Sequence, residues 1–271
     1  MTLREDKMTI KIGKVERYIN ERLDERGALL FMLIDPVDYK SEDVAIKTGI
    51  AAAEGGADVV LVGGSIGAQG ELLDNVTKGI KEKTDTPVVL FPGNIATLTK
   101  HADALYFMSL LNARNPYWIT QAQVLSAPMI KQIGIEPLSV GYIVVSPGGT
   151  VGWVGDANLV PRAKPRIAAA LALAGQYLGN RFIITDVGSN PQLHGEGPVP
   201  PEMIRAVKSS ISVPYIVAGG IRDGDTLATT LRSGADAVQI GTAIEGAADA
   251  KKQTSLFAKI VREEGAKKLG R

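Results

Sequence analysis

The chain of 271 residues contains no cysteine, which excludes disulfides, thiolate metal sites and a cysteine nucleophile. Histidine is almost absent: only His101 and His194 occur. Neither has a second ligand-type residue at the spacing of a zinc site, so solvent-facing roles are expected for both. No charge of one sign dominates either, because 30 basic side chains stand against 29 acidic ones for a net charge of +1. No overall field draws in nucleic acid or an anionic membrane surface, and any anion has to be recognised locally. The longest apolar stretches, 28–34 and 167–174, fall far short of the roughly twenty residues of a spanning helix. The opening MTLREDKMTIKIGKVERY is charged throughout and lacks the apolar centre of a signal peptide. The cytoplasm is therefore the expected compartment, with at most peripheral membrane contact.

What is present is alternation. Short β-rich apolar runs occur at 28–34, 58–62, 87–91, 104–108, 138–145, 181–185, 214–217 and 237–240. Near-continuous apolarity within each suits strands of a parallel sheet buried on both faces. Helical stretches are read at 42–54, 71–83, 116–132, 161–178, 200–209, 226–233 and 249–264, with Pro128 expected to bend or split the third of these. Eight such units in about the ~250 residues of a (βα)8 barrel make that closed form the expected architecture. No long linker divides the chain, so residues 1–271 are read as one barrel domain with an N-terminal helical extension at about 10–26. GGADVVLVGGS at 55–65 and SGADAVQIGTA at 233–243 echo one another as repeated helix-end, turn and strand. The third unit is the exception. Only 95–101 separates its strand from the fourth, about two turns at ~3.6 residues each. A full helix does not fit there, and the uncovered flank leaves room for a long apolar ligand.

Glycine-rich, acid-bearing turns follow the strands: LIDPVD at 33–38, FIITDVGSN at 182–190, YIVAGGIRDGD at 215–225 and QIGTAIEG at 239–246. Gly219, Gly220, Gly241 and Thr242 follow the seventh and eighth runs, the usual phosphate corner of such barrels. Backbone amides there, with the Thr242 hydroxyl, suit a phosphate, although the same glycines also serve tight turns. Asp35 ends the first run at the face where barrel enzymes keep their chemistry, but an aspartate before Pro36 also initiates a turn. Ser65, read from the residues alone, is better taken as the cap of the next helix. The loop SPGGTVGWVG at 146–155 carries four glycines and is read as a mobile lid or an ordinary flexible loop. Tyr117 and Trp118, at the start of a helix, are read as core or subunit contact.

In order and in register, LIDPVD, VGGS at 62–65, FPGN at 91–94, FMSLLNARNPYW at 107–118, YIVVSPGGTVGWVGDA at 142–157, AGGIRDGD at 218–225 and IGTAIEG at 240–246 resemble the geranylgeranylglyceryl phosphate synthases. These are archaeal ether-lipid enzymes, and the resemblance to their bacterial heptaprenylglyceryl phosphate relatives is weaker. It implies a modified barrel with the helix after the third strand missing or replaced by a short segment. It also implies Mg²⁺-dependent transfer of geranylgeranyl from its diphosphate to the 3-hydroxyl of sn-glycerol 1-phosphate, the first ether bond of archaeal membrane lipids. The family's metal ligands match Asp35 and Ser65, and the helix bearing Trp118 takes part in oligomer contacts, so a homo-oligomer, dimer or hexamer, is expected.

The sixth segment departs from the family, whose pattern is tyrosine, any residue, glutamate, then Ala-Gly-Ser-Gly. Here the glycerol-phosphate segment reads Ile184, Thr185, Asp186, Val187, Gly188, Ser189, Asn190. Isoleucine replaces the tyrosine, and Asp186, one methylene shorter, takes the place of the glutamate that is the expected base. One substrate contact is thereby lost without an evident replacement. Two other readings remain at this stage. One is a phosphate-binding barrel isomerase, and the other a prenylglyceryl phosphate synthase of different chain length. A noncatalytic phosphate binder would also tolerate the altered sixth segment.

Overall fold

The computed structural model describes residues 12–271. Eight parallel strands close into a barrel in sequential order: β1 (Leu29–Ile34), β2 (Val59–Gly64), β3 (Val88–Pro92), β4 (Ala104–Leu110), β5 (Glu136–Val144), β6 (Phe182–Asp186), β7 (Tyr215–Ala218) and β8 (Ala237–Ile240). Alternate residues of each strand face opposite ways, which creates two apolar layers. Phe31, Leu61, Val89, Tyr106, Tyr142, Phe182 and Ile184 fill the barrel interior. Leu30, Met32, Val60, Leu90, Ile183 and Val217 face outward against the helices.

The helical layer is nearly complete. α1 (Lys14–Arg26) precedes the barrel; α2 (Glu42–Glu54), α3 (Gly70–Lys81) and α4 (Ala122–Ile133) follow β1, β2 and β4. α5 (Gly149–Val154) and α6 (Pro165–Tyr177) follow β5, then α7 (Pro201–Lys208) and α8 (Gly224–Arg232) follow β6 and β7, and α9 (Thr242–Glu245) and α10 (Ala250–Lys268) close the chain. Carboxylates and hydroxyls fix several of the starts: Asp223 Oδ1 accepts from Thr226 N at 2.8 Å and Asp249 Oδ1 from Lys252 N at 2.9 Å. The interval between β3 and β4 contains no helix, as the short spacing requires.

α1 plugs the barrel from below. Val15 and Ile19 join the interior cluster, and the first amides of the helix find their acceptor at the start of β5. Val15 N and Glu16 N donate to Glu136 at 2.7 and 2.9 Å, so a carboxylate sits on the positive end of the helix. The expected extension at 10–26 begins at Lys14, and residues 10 and 11 lie outside the described residues.

Three sequence expectations need correction. Pro128 neither splits nor ends its helix, since α4 runs through it and the irregularity is a π-helical turn at Tyr117–Gln121. The only bond Pro128 forfeits would end on the Val124 carbonyl, on an exposed flank where water can serve it. α6 starts at Pro165 rather than Pro161, because Lys164, preceding a proline, is held out of the helical region at φ −123° and ψ 61°. Finally, 146–156 is not a structureless loop. It contains α5, and Gly148 N donates to Val187 O at 3.0 Å, which docks the segment on the end of β6.

Candidate active site

The C-terminal ends of the strands surround a polar cavity of about 800 Å³, counting its open mouth. One wall is the pair of turns after β7 and β8, where Gly219, Gly220, Gly241 and Thr242 line the space. Gly219 and Gly220 have φ of 83° and 74°, a conformation that glycine adopts without strain. A Cβ on Gly219 would also sit 2.7 Å from Asp186 Oδ1. The turn thus brings bare backbone against the cavity, as an anion site requires.

Facing it, Asp35, Asp38 and Glu245 line the same cavity. Asp35 Oδ1 accepts from Val37 N at 3.3 Å, so the turn role read from the sequence is real. The carboxylate does more than that. A Cβ on Gly64 would lie 2.1 Å from Asp35 Oδ2; the glycine leaves room for this carboxylate, which lines the same cavity as Ser65. Ser65 does not cap α3, whose cap position is Gln69; it lines the cavity instead. Burial first, then the negative charge of Asp38, pushes the Asp35 carboxyl up to about 7, with Glu245 adding to it. Glu245 is pushed up to about 7 by burial and Asp38, against the opposing pull of Arg222.

No group of three or more histidine, cysteine, aspartate or glutamate side chains forms a metal cage among the described residues. Mg²⁺ does not need one, because it keeps waters and takes one or two carboxylates together with substrate phosphate oxygens. A half-buried carboxylate repelled by its acidic neighbours, next to a serine on a cavity wall, fits that demand.

Asp186 stands at the bottom of the cavity, 6% exposed. Both oxygens are held: Tyr142 donates its hydroxyl to Oδ2 at 2.5 Å, and Gly188 N donates to Oδ1 at 2.6 Å. Burial raises its pKa, and these two hydrogen bonds oppose the rise. A carboxylate oxygen has a second lone pair, so a base fixed in this way can still accept a proton. Around it, Gly188, Ser189 and Asn190 line the cavity. Asn190 adopts φ 54°, a left-handed conformation that asparagine tolerates better than most residues, and accepts from the Arg222 guanidinium.

Ile184, Thr185 and Val187, named from the same segment, do not line the cavity. Strand alternation sends Thr185 outward, where its hydroxyl lies 2.7 Å from that of Tyr215. Val187 joins the outer core. Ile184 faces inward one layer below Asp186, within the packed interior. Sequence reading missed Asp38, Glu245, Arg222 and Gln239, and gave Tyr142 no role. Gln239 is an amide inside the apolar run AVQI, only 4% exposed, and its Oε1 has no hydrogen-bond partner. An unpaired buried acceptor costs about 1–3 kcal/mol.

A second cavity, about 790 Å³ counting its mouth, opens along the flank that has no helix. Leu98, Leu105, Phe107, Met108, Leu110 and Trp118 make its walls apolar. Trp118, with Tyr117 edge-on at 4.9 Å, therefore belongs to a ligand-sized groove; subunit contact was the sequence expectation. Gly64, Ser65, Phe91, Tyr142 and Val151 line both cavities. The groove thus runs into the polar site between Asp35 and Asp186, under α5. His194 is exposed and His101 half-buried, and neither lines either cavity.

Known proteins are similar to this chain in sequence and fold. The chain is 54% identical over 237 residues to the geranylgeranylglyceryl phosphate synthase of Pyrococcus abyssi, a match spanning 87% of this chain and 92% of that protein. The (S)-3-O-geranylgeranylglyceryl phosphate synthase of Thermoplasma acidophilum, solved in complex with sn-glycerol-1-phosphate, superposes with a TM-score of 0.86 at 31% identity, over 93% of this chain and all of that one. The GGGPS of Thermoplasma volcanium superposes with a TM-score of 0.83 at 35% identity, over 92% of this chain and 96% of that one. The PcrB family matches residues 20–259, and the chain belongs to that family.

Proposed function

We propose that the protein is a prenyltransferase that joins geranylgeranyl diphosphate to the 3-hydroxyl of sn-glycerol 1-phosphate. The observation that carries this reading is the junction of a polar, glycine-walled cavity with an apolar groove through five shared residues. A phosphate-binding isomerase has use for the first cavity and none for the second.

In this reading the phosphate of the acceptor rests on the turns at Gly219–Gly220 and Gly241–Thr242, where backbone amides and the Thr242 hydroxyl donate to it. That leaves the glycerol over Asp186. The prenyl chain lies in the groove along Trp118, Leu98 and Phe107, with its diphosphate toward Asp35 and Ser65. Mg²⁺, held by Asp35 and Ser65, would neutralise charge on the departing diphosphate. Asp186 takes the proton of the 3-hydroxyl as that oxygen bonds C1 of the prenyl group, and the C1–O bond to diphosphate breaks. Tyr142 keeps the carboxylate oriented throughout. α5, through Thr150 and Val151, covers the junction and excludes water from an allylic carbon that water would otherwise capture.

The same reading places a second copy of the chain against α4, where Val124, Leu125 and Met129 are each more than half exposed; sedimentation of the purified protein tests it. Among the described residues no helix is long and apolar enough to cross a membrane, so the groove is the means proposed for handling the lipid substrate. The test of function is product analysis with Mg²⁺, both glycerol phosphate enantiomers, and farnesyl, geranylgeranyl and longer diphosphates. Geranylgeranyl ether of the sn-1 enantiomer with release of diphosphate is expected. Absence of any ether product would end this reading, and preference for another chain length would revise the donor.

A further inference from the structure

Asp186, Ala218 and Gln239 form one row across the barrel wall. Asp186 on β6 is in register with Ala218 on β7, and Ala218 with Gln239 on β8. All three line the polar cavity. At ~4.8 Å per strand, the two polar residues are about 10 Å apart along the wall, with only a methyl group between them. The row thus has a carboxylate at one end, a carboxamide at the other and a recess in the middle. Directly beyond it in the chain lie Gly219 and Gly241, the two turns assigned to phosphate.

Gln239 has no structural reason to be polar. Its neighbours in register, Ala218 and Phe31, are apolar, and Oε1 is buried without a partner. A carboxamide can turn to present oxygen or nitrogen with little change of shape, so whichever end faces the cavity has an unused hydrogen-bonding capacity. An apolar side chain would pack in the same place without that cost.

We infer that Gln239 is a specificity-determining residue for the acceptor, hydrogen-bonding the secondary hydroxyl of a three-carbon polyol phosphate whose primary hydroxyl meets Asp186. The inference rests on the transferase reading above. With the phosphate fixed at the two turns and the reacting hydroxyl at Asp186, the carbon chain crosses Ala218. The middle hydroxyl then points along β8 to Gln239 in one enantiomer and away from it in the other.

The experiment compares sn-glycerol 1-phosphate with 3-hydroxypropyl phosphate, which keeps the phosphate and the reacting hydroxyl and lacks only the middle one. The native enzyme is expected to favour the glycerol compound in kcat/KM by about tenfold or more, as for a site built around a hydroxyl. In Gln239→Leu, and in the closer isostere Gln239→Met, that ratio should fall to within about twofold. The enantiomer preference should fall with it, while the KM for geranylgeranyl diphosphate holds and the Tm stays level or rises, because the unpaired buried amide is gone. A purely structural role would lower Tm and leave the ratio. An unchanged ratio in both variants, or a native enzyme indifferent to the middle hydroxyl, overturns the inference while leaving the transferase reading intact. A native enzyme that prenylates neither acceptor overturns both.

Discussion

Two quarters of the barrel rim are built from the same kind of strand and serve opposite purposes. β7 and β8 are each followed by a short turn and a helix, β6 by a longer segment before α7, and the space above is polar and walled by backbone. Between β3 and β4 the helix is missing, and the space is a side-opening channel of leucine, phenylalanine, methionine and tryptophan. One unit keeps its helix and turns its backbone amides inward; another drops its helix and exposes strand side chains. Two ligands of opposite character can therefore meet at the seam, formed by Ser65, Phe91 and Tyr142, without either crossing the other's wall. The fold supplies specificity here by subtraction as much as by placement of groups.

If the two quarters have these separate duties, substitutions in each should fail separately. The largest effect is expected in the polar quarter: Asp35→Asn should lower Mg²⁺-dependent kcat by about 10³-fold, the scale of losing a charge-stabilising group, with little change in Tm because the carboxylate is not a core element. Activity near normal would remove Asp35 from the metal site. Asp186→Ala should cost about 10²-fold or more in kcat, as for loss of a general base. Binding of the prenyl diphosphate, measured by calorimetry, should persist. On the apolar side, Leu98→Trp should raise the KM for geranylgeranyl diphosphate by about tenfold, the order expected for an obstructed hydrophobic pocket. The KM for glycerol phosphate should not move, and an equal rise in both constants would mean that the two quarters are not independent.

Tyr142→Phe carries the smallest expected loss and a distinct signature. The hydroxyl it removes donates to the ionised form of Asp186 and holds that pKa down against burial. Without it the Asp186 pKa rises, so the acid limb of the kcat/KM profile should move to higher pH. A pH–rate profile superposable on that of the native enzyme would show that the hydrogen bond has no part in poising the base.

The architecture was legible because strand and helix lengths leave their period in the sequence: all eight runs became strands, and the seven-residue gap at 95–101 announced the missing helix. Residues at the ends of strands were legible where chemistry is concentrated in a turn, as at Asp35 and Gly219–Gly220. Facing was not. A strand buried on both sides shows no polar alternation, so Ile184, Thr185 and Val187 could not be told from Asp186 by pattern, though only Asp186 among these four reaches the cavity. Gln239 was hidden for the same reason, as one polar residue in a run read only for its strand. Tyr117 and Trp118 were read without their neighbours, since nothing local in the sequence reveals that the flank beside them is open. The glycines at 146–155, read as a sign of mobility, also accommodate α5 and its close docking onto the end of β6.

The central claim is that the acceptor and the prenyl donor lie in adjoining cavities whose contents meet beside Asp186. A crystal structure of the protein with sn-glycerol 1-phosphate and an unreactive thio analogue of geranylgeranyl diphosphate tests it directly. The account predicts the phosphate at Gly219–Gly220 and Gly241–Thr242, the tail along Trp118 and Leu98, and C1 within about 3.5 Å of the 3-hydroxyl. A tail lying outside the β3–β4 flank, or a C1 separated from that hydroxyl by the Tyr142 wall, would contradict it.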